Sequence, residues 1–284
     1  MRRDLAGGLI VAALLGVLGV VQHRRSGIEV HIQAGAPDDE ISCAELRAER
    51  PLLVLVMGQS NAGNHGGLAP TTSAVKPINV LYEGRCYLAH APLPGATGAG
   101  ASLWPLLEQE LITARAGPAW LQRPRVYAVI AVESTRINDW SGDGTPLNKY
   151  WRAQLGKLRG DGWQPSLVLW QQGEADANAG TSAAAYVDAF LKFRAALRDA
   201  GLGAVPWLAA RSAYCAGADT TATHQAWQTL AAQPGGFGFL PGPDTDSLQG
   251  PDRLDRCHFS ADGLRHAARL WADALLALPL PAPQ

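Results

Sequence analysis

Three apolar runs constrain this chain more than any other feature: Leu52–Met57, Val126–Val132 and Leu167–Trp170 carry no charged residue. A strand exposed on one face alternates apolar and polar side chains. Strands apolar throughout are buried on both faces, as in a parallel sheet sandwiched between helices. Ile78–Tyr82 and Val205–Ala210 read as two further strands. Between the runs lie helical patterns: Leu103, Leu106, Leu107 and Leu111 behind a Ser102 cap, a segment from Leu147 to Leu158, and a long helix from Ser182 to about Ala200, ended by Gly201. Ala222–Ala232 and a last helix from Ser260, stopped by Pro279, complete the alternation. The expected architecture is therefore α/β: a three-layer α/β/α domain over residues 51–279, with a central parallel sheet of about five strands and a short tail at 280–284.

In such sheets ligands bind at the carboxyl ends of the strands. The first run ends in Gly58-Gln59-Ser60-Asn61-Ala62-Gly63-Asn64-His65-Gly66. A serine held on a tight turn there exposes its hydroxyl and leaves its own N–H free, which makes Ser60 the candidate nucleophile. Glycine, asparagine and serine are also ordinary turn residues, so the segment alone does not decide. A serine nucleophile needs a base, and the base an orienting group. Of seven histidines, His258 is the one that supplies both, in Asp255-Arg256-Cys257-His258. That spacing lets Asp255 accept from one imidazole nitrogen while the other faces Ser60. His23 and His31 lie before the domain, and His266 reads as a helix residue. Oxyanion donors are sought at Gly98 or Gly100, before a helix start, and in the Gln172 side chain at a strand end. Glu174 and Asp176 are expected to brace their loop rather than act as an acid/base pair. The G-x-S-x-G elbow, the dinucleotide fingerprint and the P-loop are absent, and no cysteine spacing forms a metal site. No metal or organic cofactor is expected.

With net charge −1 and a pI near 6.6, the 284-residue chain has no polyanion-binding character, and nucleic acid is not an expected partner. Arg2 and Arg3 precede an uncharged run, Leu5–Val21, followed by Gln22-His23-Arg24-Arg25. As a helix the run would be roughly 25 Å long, marginal for a bilayer core of about 30 Å. Val20-Val21-Gln22-His23 lacks the small residues of a cleavage site, so residues 1–25 read as an uncleaved signal anchor and 26–50 as a linker and entry segment before the first strand. Cleavage and secretion is the alternative. Cys43, Cys86, Cys215 and Cys257, beyond an export segment, favour disulfides in an oxidising compartment. Of the three pairings, Cys43 with Cys86 and Cys215 with Cys257 would tie loops near neighbouring strand ends; four free thiols is the competing reading.

Taken in order, Gly58-Gln59-Ser60-Asn61-Ala62, the glycine turn at 98–100, Trp170-Gln171-Gln172-Gly173-Glu174-Ala175-Asp176 and Asp255-x-x-His258-Phe259 resemble the SGNH hydrolase superfamily, in its branch of sialate O-acetylesterases and acetylxylan-esterase-like proteins. Thr135-Arg136-Ile137-Asn138-Asp139-Trp140 resembles the segment that follows the third strand in that branch. The resemblance implies a flavodoxin-like sheet, Ser60 as nucleophile, His258 as base and Asp255 as its partner. It also implies an oxyanion hole from the N–H groups of Ser60 and Gly100 and the amide of Gln172. Asn61, Gly98, Thr135, Trp140 and Glu174 are carried over as substrate-contacting or loop-bracing residues. One departure stands out: relatives carry glycines where this chain has Glu133-Ser134. The implied activity is removal of acetyl groups from an O-acetylated glycan, with a lipid, aryl ester or thioester as the alternative substrate. A non-catalytic glycan-binding protein on the same fold is the rival of another class. Trp104 and Trp140, close to the site segments, would supply sugar-stacking faces, with buried core tryptophans as the equal alternative.

Overall fold

The computed structural model describes residues 23–25, 28–30, 32–67, 75–114, 117–233 and 239–278. The apolar run proposed as a signal anchor lies outside them, as does His31. Among the described residues no helix is long and apolar enough to cross a membrane. Two short strands, β1 (His23–Arg25) and β2 (Ile28–Val30), pair antiparallel with each other.

The remaining strands are β3 (Glu40–Ile41), β4 (Leu52–Gly58), β5 (Ile78–Tyr82), β6 (Arg85–Ala89), β7 (Arg125–Ala131), β8 (Pro165–Gln171), β9 (Trp207–Arg211) and β10 (Phe239–Asp244). They form one sheet in the order β10-β9-β8-β4-β7-β5-β6-β3. β4 lies between β7 and β8, and the pairings from β10 through to β5 are parallel. The five expected strands are all present. The extra ones sit at the sheet's edges: β6 and β3 add antiparallel at one side, and β10 adds parallel at the other. β10 reads Phe-Leu-Pro-Gly-Pro-Asp, a composition tolerated at an edge because proline cannot donate to a ladder. The β5–β6 connection is a two-residue hairpin, with Glu83 and Gly84 both at positive φ.

Eight helices are described: α1 (Cys43–Ala48), α2 (Trp104–Thr113), α3 (Ile137–Ser141), α4 (Pro146–Gly160), α5 (Glu174–Asn178), α6 (Ala183–Leu197), α7 (Thr221–Ala231) and α8 (Ala261–Leu276). Side chains of β4 alternate between two cores. Leu53, Leu55 and Met57 join the aromatic cluster of Trp140, Trp151, Trp170, Phe190, Phe193 and Trp207. Leu52, Val54 and Val56 face α2 and α8 with Trp104 and Trp271. Burying β4 on both faces is what forces the three layers, and it holds the strand's carboxyl end rigidly.

From Ile32 onward the segment 26–50 is tied to the domain. Gln33 N–H donates to Ala96 O at 2.9 Å, β3 pairs with β6, Leu46 is buried, and a disulfide joins Cys43 to Cys86. A second disulfide joins Cys215 to Cys257. These are the expected pairings, and two disulfides fit an extracytoplasmic protein.

Candidate active site

At the end of β4 the backbone passes so close to β8 that a Cβ on Gly58 would lie 2.0 Å from Gln171 O, and its φ is +153°. Glycine is the residue that fits there. The chain then enters one 3-10 turn, Ser60–Ala62. Ser60 is its first residue, so its N–H has no intrahelical acceptor. Gln59, one step earlier, turns its side chain the other way: its Oε1 accepts from Ala175 N–H at 3.1 Å, at the start of α5. The ends of β4 and β8 are thereby locked together.

Asp255 and His258 sit on the loop between β10 and α8. Asp255 Oδ2 lies 2.8 Å from His258 Nδ1, and Asp255 Oδ1 accepts the backbone N–H of His258 at 2.7 Å. Burial alone would raise the Asp255 carboxyl, but those hydrogen bonds from His258 outweigh it and hold the group below the usual aspartate range. With Nδ1 so engaged, Nε2 is the free nitrogen.

Among the described residues two other His–Asp pairs exist, so pairing alone does not identify a base. His224 Nε2 lies 2.6 Å from Asp246, but its Nδ1 meets Arg211 at 2.8 Å, leaving no free nitrogen. His266 pairs with Asp252 at 2.7 Å on the exposed side of α8. What singles out His258 is Asn61. Its Nδ2 donates to Cys257 O at 3.3 Å and to Glu174 Oε1 at 2.7 Å, clipping the residue after Ser60 to the residue before His258. Among the described residues no hydrogen bond links Ser60 Oγ directly to the imidazole; the backbones are held together, and the hydroxyl stays free. Arg253 supports the same loop from beneath, donating to Cys257 O at 2.6 Å and Thr245 O at 2.7 Å, with its guanidinium 4.3 Å from the Phe259 ring centroid.

The oxyanion donors expected of Gly100 and Gln172 are already in use. Gly100 N–H donates to Asn64 O at 2.7 Å. Gln172 Nε2 donates to Asp176 Oδ2 at 2.6 Å and Thr135 O at 2.9 Å, while Tyr186 OH donates to its Oε1 at 2.9 Å. A fully buried amide with both hydrogens committed has none left for a substrate. Gly98 differs from Gly100, because among the described residues no backbone acceptor takes its N–H. Its φ is +90°, and a Cβ would meet Asn64 O at 2.4 Å.

Glu174, Asp176 and Thr135 are bracing residues. Glu174 Oε1 also accepts from Ser212 Oγ at 2.9 Å, and burial pushes its carboxyl up against the lowering effect of the Asn61 hydrogen bond. Burial likewise raises Asp176, which holds Ile137 N–H at 2.8 Å. Thr135 Oγ1 donates to Val132 O at 2.8 Å and accepts from Trp140 Nε1 at 3.0 Å. Trp140 and Trp104 are both 0 % exposed, the latter donating to Ala62 O at 2.8 Å. Neither offers a face to a sugar, so that expectation is withdrawn.

One neighbour of the site carries no signature in the sequence. The His65 ring stacks on His258, centroids 5.3 Å apart, with Nε2 3.1 Å from Thr97 Oγ1 and 3.7 Å from a Glu133 carboxylate oxygen. Burial pushes the His65 imidazole down, more than nearby Glu133 raises it. Ser134, beside Glu133, has φ +57°, a conformation glycine adopts without strain. Among the described residues no cluster of His, Cys, Asp and Glu could hold a metal.

A sequence profile described as carbohydrate esterase, sialic acid-specific acetylesterase matches residues 112–277, more than half of the chain. The match takes in Gln172, Asp255 and His258 and leaves Ser60 outside. A protein from Arabidopsis thaliana is similar in structure, with TM-score 0.63 and 18 % identity over 80 % of this chain and 98 % of its own. NanS is similar with TM-score 0.52 and 15 % identity, covering 79 % of this chain and 96 % of its own. A carbohydrate acetylesterase from Xanthomonas citri follows at TM-score 0.50 and 18 % identity over 78 % of this chain and 55 % of its own. At these identities the likeness is one of fold. No curated protein matches the sequence.

Proposed function

The chain belongs to the sialic acid-specific acetylesterase family of carbohydrate esterases, and on that premise we propose that it hydrolyses acetyl esters of a sugar with Ser60 as nucleophile, His258 as general base and Asp255 as its orienting partner. The observation that carries this reading is the Asn61 clip, which ties the turn bearing Ser60 to the loop bearing His258. Ser60 Oγ attacks the acetyl carbonyl as His258 Nε2 takes its proton. Asp255, held ionised, fixes the tautomer with Nδ1–H and stabilises the imidazolium that forms. The negative oxygen of the tetrahedral intermediate is met by the N–H groups of Ser60 and Gly98. Collapse expels the sugar hydroxyl, which takes its proton from His258. Water, activated by the same imidazole, then releases acetate from the acyl-serine. Contact between Ser60 and the base tightens on substrate binding, as is common for catalytic hydrogen bonds that are loose in the free enzyme.

The two disulfides support an extracytoplasmic site of action, and the run Leu5–Val21 would anchor the domain to a membrane. Acetate release from p-nitrophenyl acetate and from O-acetylated sugars, compared with Ser60→Ala, tests the reading. Serine-dependent release, faster on the sugars, is expected. Full activity in Ser60→Ala would refute the mechanism, and release from the simple ester alone would refute the carbohydrate substrate.

A further inference from the structure

Building on the reading above, we infer that Glu133 and His65 form a specificity wall that makes this site favour acetyl esters of uncharged sugars over those of sugars bearing a carboxylate. Glu133 stands at the mouth for a topological reason. It follows β7, whose Ala131 is paired with Gly58 of β4, and Val132 N–H donates to Gly58 O at 2.9 Å, two residues before Ser60. Its own N–H donates to Thr97 Oγ1 at 2.9 Å, in the glycine turn that supplies Gly98. The side chain is 46 % exposed, yet its oxygen lies 3.7 Å from His65, which is stacked against the base.

The charge of Glu133 is uncompensated at that edge. His65 is its only ion-pair partner among the described residues, and burial keeps that imidazole toward neutrality. The other charged groups acting on His65 are His258 and Asp255, the latter a second anion. A sugar whose acetyl group reaches Ser60 beside His258 passes this edge. A hydroxyl-bearing ring can hydrogen-bond to the carboxylate of Glu133; a ring carrying its own carboxylate meets two anions instead.

A matched pair of substrates probes the effect: an O-acetylated N-acetylneuraminic acid and its methyl ester, in which a methyl group masks the carboxylate, with acetate as the product followed. In a partly solvated setting, one charge–charge contact of this kind changes kcat/KM by roughly two- to tenfold. The full chain is expected to cleave the methyl ester faster by about that factor at low salt. Glu133→Gln should bring the ratio of the two rates toward one, and Glu133→Lys should invert it. Raising ionic strength, where the Debye length falls below about 10 Å, should shrink the wild-type preference. A wild-type ratio of one, a preference for the free acid, or a ratio that Glu133→Gln leaves untouched would overturn the inference while leaving the esterase mechanism standing. Absence of Ser60-dependent acetate release from either compound and from p-nitrophenyl acetate would instead overturn the underlying acetylesterase reading.

Discussion

Gln172 separates two accounts of this site, and Gln172→Ala decides between them. As an oxyanion donor, its loss would lower kcat by about 10²–10³ in a protein of normal stability. The contacts made by its amide imply a different result. Removing the side chain leaves Thr135 O, Asp176 Oδ2 and Tyr186 OH without the partners they have at 2.9, 2.6 and 2.9 Å. Tyr186 and Asp176 are buried, and Thr135 is half-buried. An orphaned neutral group costs about 1–3 kcal/mol and a charged one more, although Asp176 Oδ2 keeps Ile137 N–H. With the lower figures for the hydroxyl and carbonyl and about 2 kcal/mol for the carboxylate, the loss is ~4 kcal/mol.

For a domain of this size that corresponds to a fall in Tm of about 8–16 °C. The assay is thermal unfolding of wild type and Gln172→Ala side by side with kcat and KM on p-nitrophenyl acetate well below both transitions. A large drop in Tm with less than about tenfold loss of kcat supports the bracing role. A variant with wild-type Tm and kcat lower by about 10²–10³ at unchanged KM would refute it, because that pattern belongs to a donor acting only in the transition state.

Other perturbations probe the supports separately. The Cys215–Cys257 and Cys43–Cys86 bridges close loops of nearly equal length, 42 and 43 residues apart in sequence, so each contributes ~4 kcal/mol by loop entropy. Replacing either pair by alanine should lower Tm similarly, but only loss of Cys215–Cys257, next to His258, should lower kcat of the folded enzyme; equal kcat in the two variants would contradict this. Glu174 is raised by burial, so its stabilising contribution is complete below the unfolded value of about 4.3 and is lost as pH rises through the folded value. Tm measured against pH should therefore fall more steeply for wild type than for Glu174→Gln above about pH 4, and parallel curves would remove the argument. Far from the site, Glu108 accepts from Arg125 at 2.6 and 2.9 Å and from Tyr127 OH at 2.8 Å. Glu108→Ala leaves the nearly buried guanidinium unpaired and should cost about 3–5 kcal/mol with kcat unchanged, as denaturant unfolding and steady-state kinetics would show.

The sequence reveals the fold where burial is symmetric. β4, β7 and β8 are apolar on both faces, and only a parallel sheet between helices accommodates that. It hides the edges, because β3 has two residues and β10 contains two prolines, and pairing there is decided by neighbours rather than composition. The pairing of Asp255 with His258 is legible from local spacing, because the two are close in the chain and one loop suffices to join them. Which glycine N–H is committed is not legible, since the bond from Gly100 N–H goes to Asn64 O, brought in from another segment. His65 was invisible as a site residue for the same reason. Its partners, Thr97, Glu133 and His258, come from three separate loops and leave no spacing to read.

The conspicuous polar residues of the motifs divide into two groups by where their hydrogen bonds go. Gln59, Asn61, Thr135, Gln172, Glu174 and Asp176 bond to one another and to backbone in the interior, where Glu174 Oε2 and Asp176 Oδ1 are buried without a hydrogen-bond partner among the described residues. Ser60 and His258 keep an unspent group each, Oγ and Nε2. The division follows from the fold: parallel strands all end at one rim, so their loops converge there with few apolar side chains to pack. Holding such loops to catalytic tolerance then falls to hydrogen bonds, a buried arginine and a disulfide. A polar residue at a strand end in this architecture is thus first a fastener, and it becomes chemistry only where a left-over polar atom can also reach a substrate.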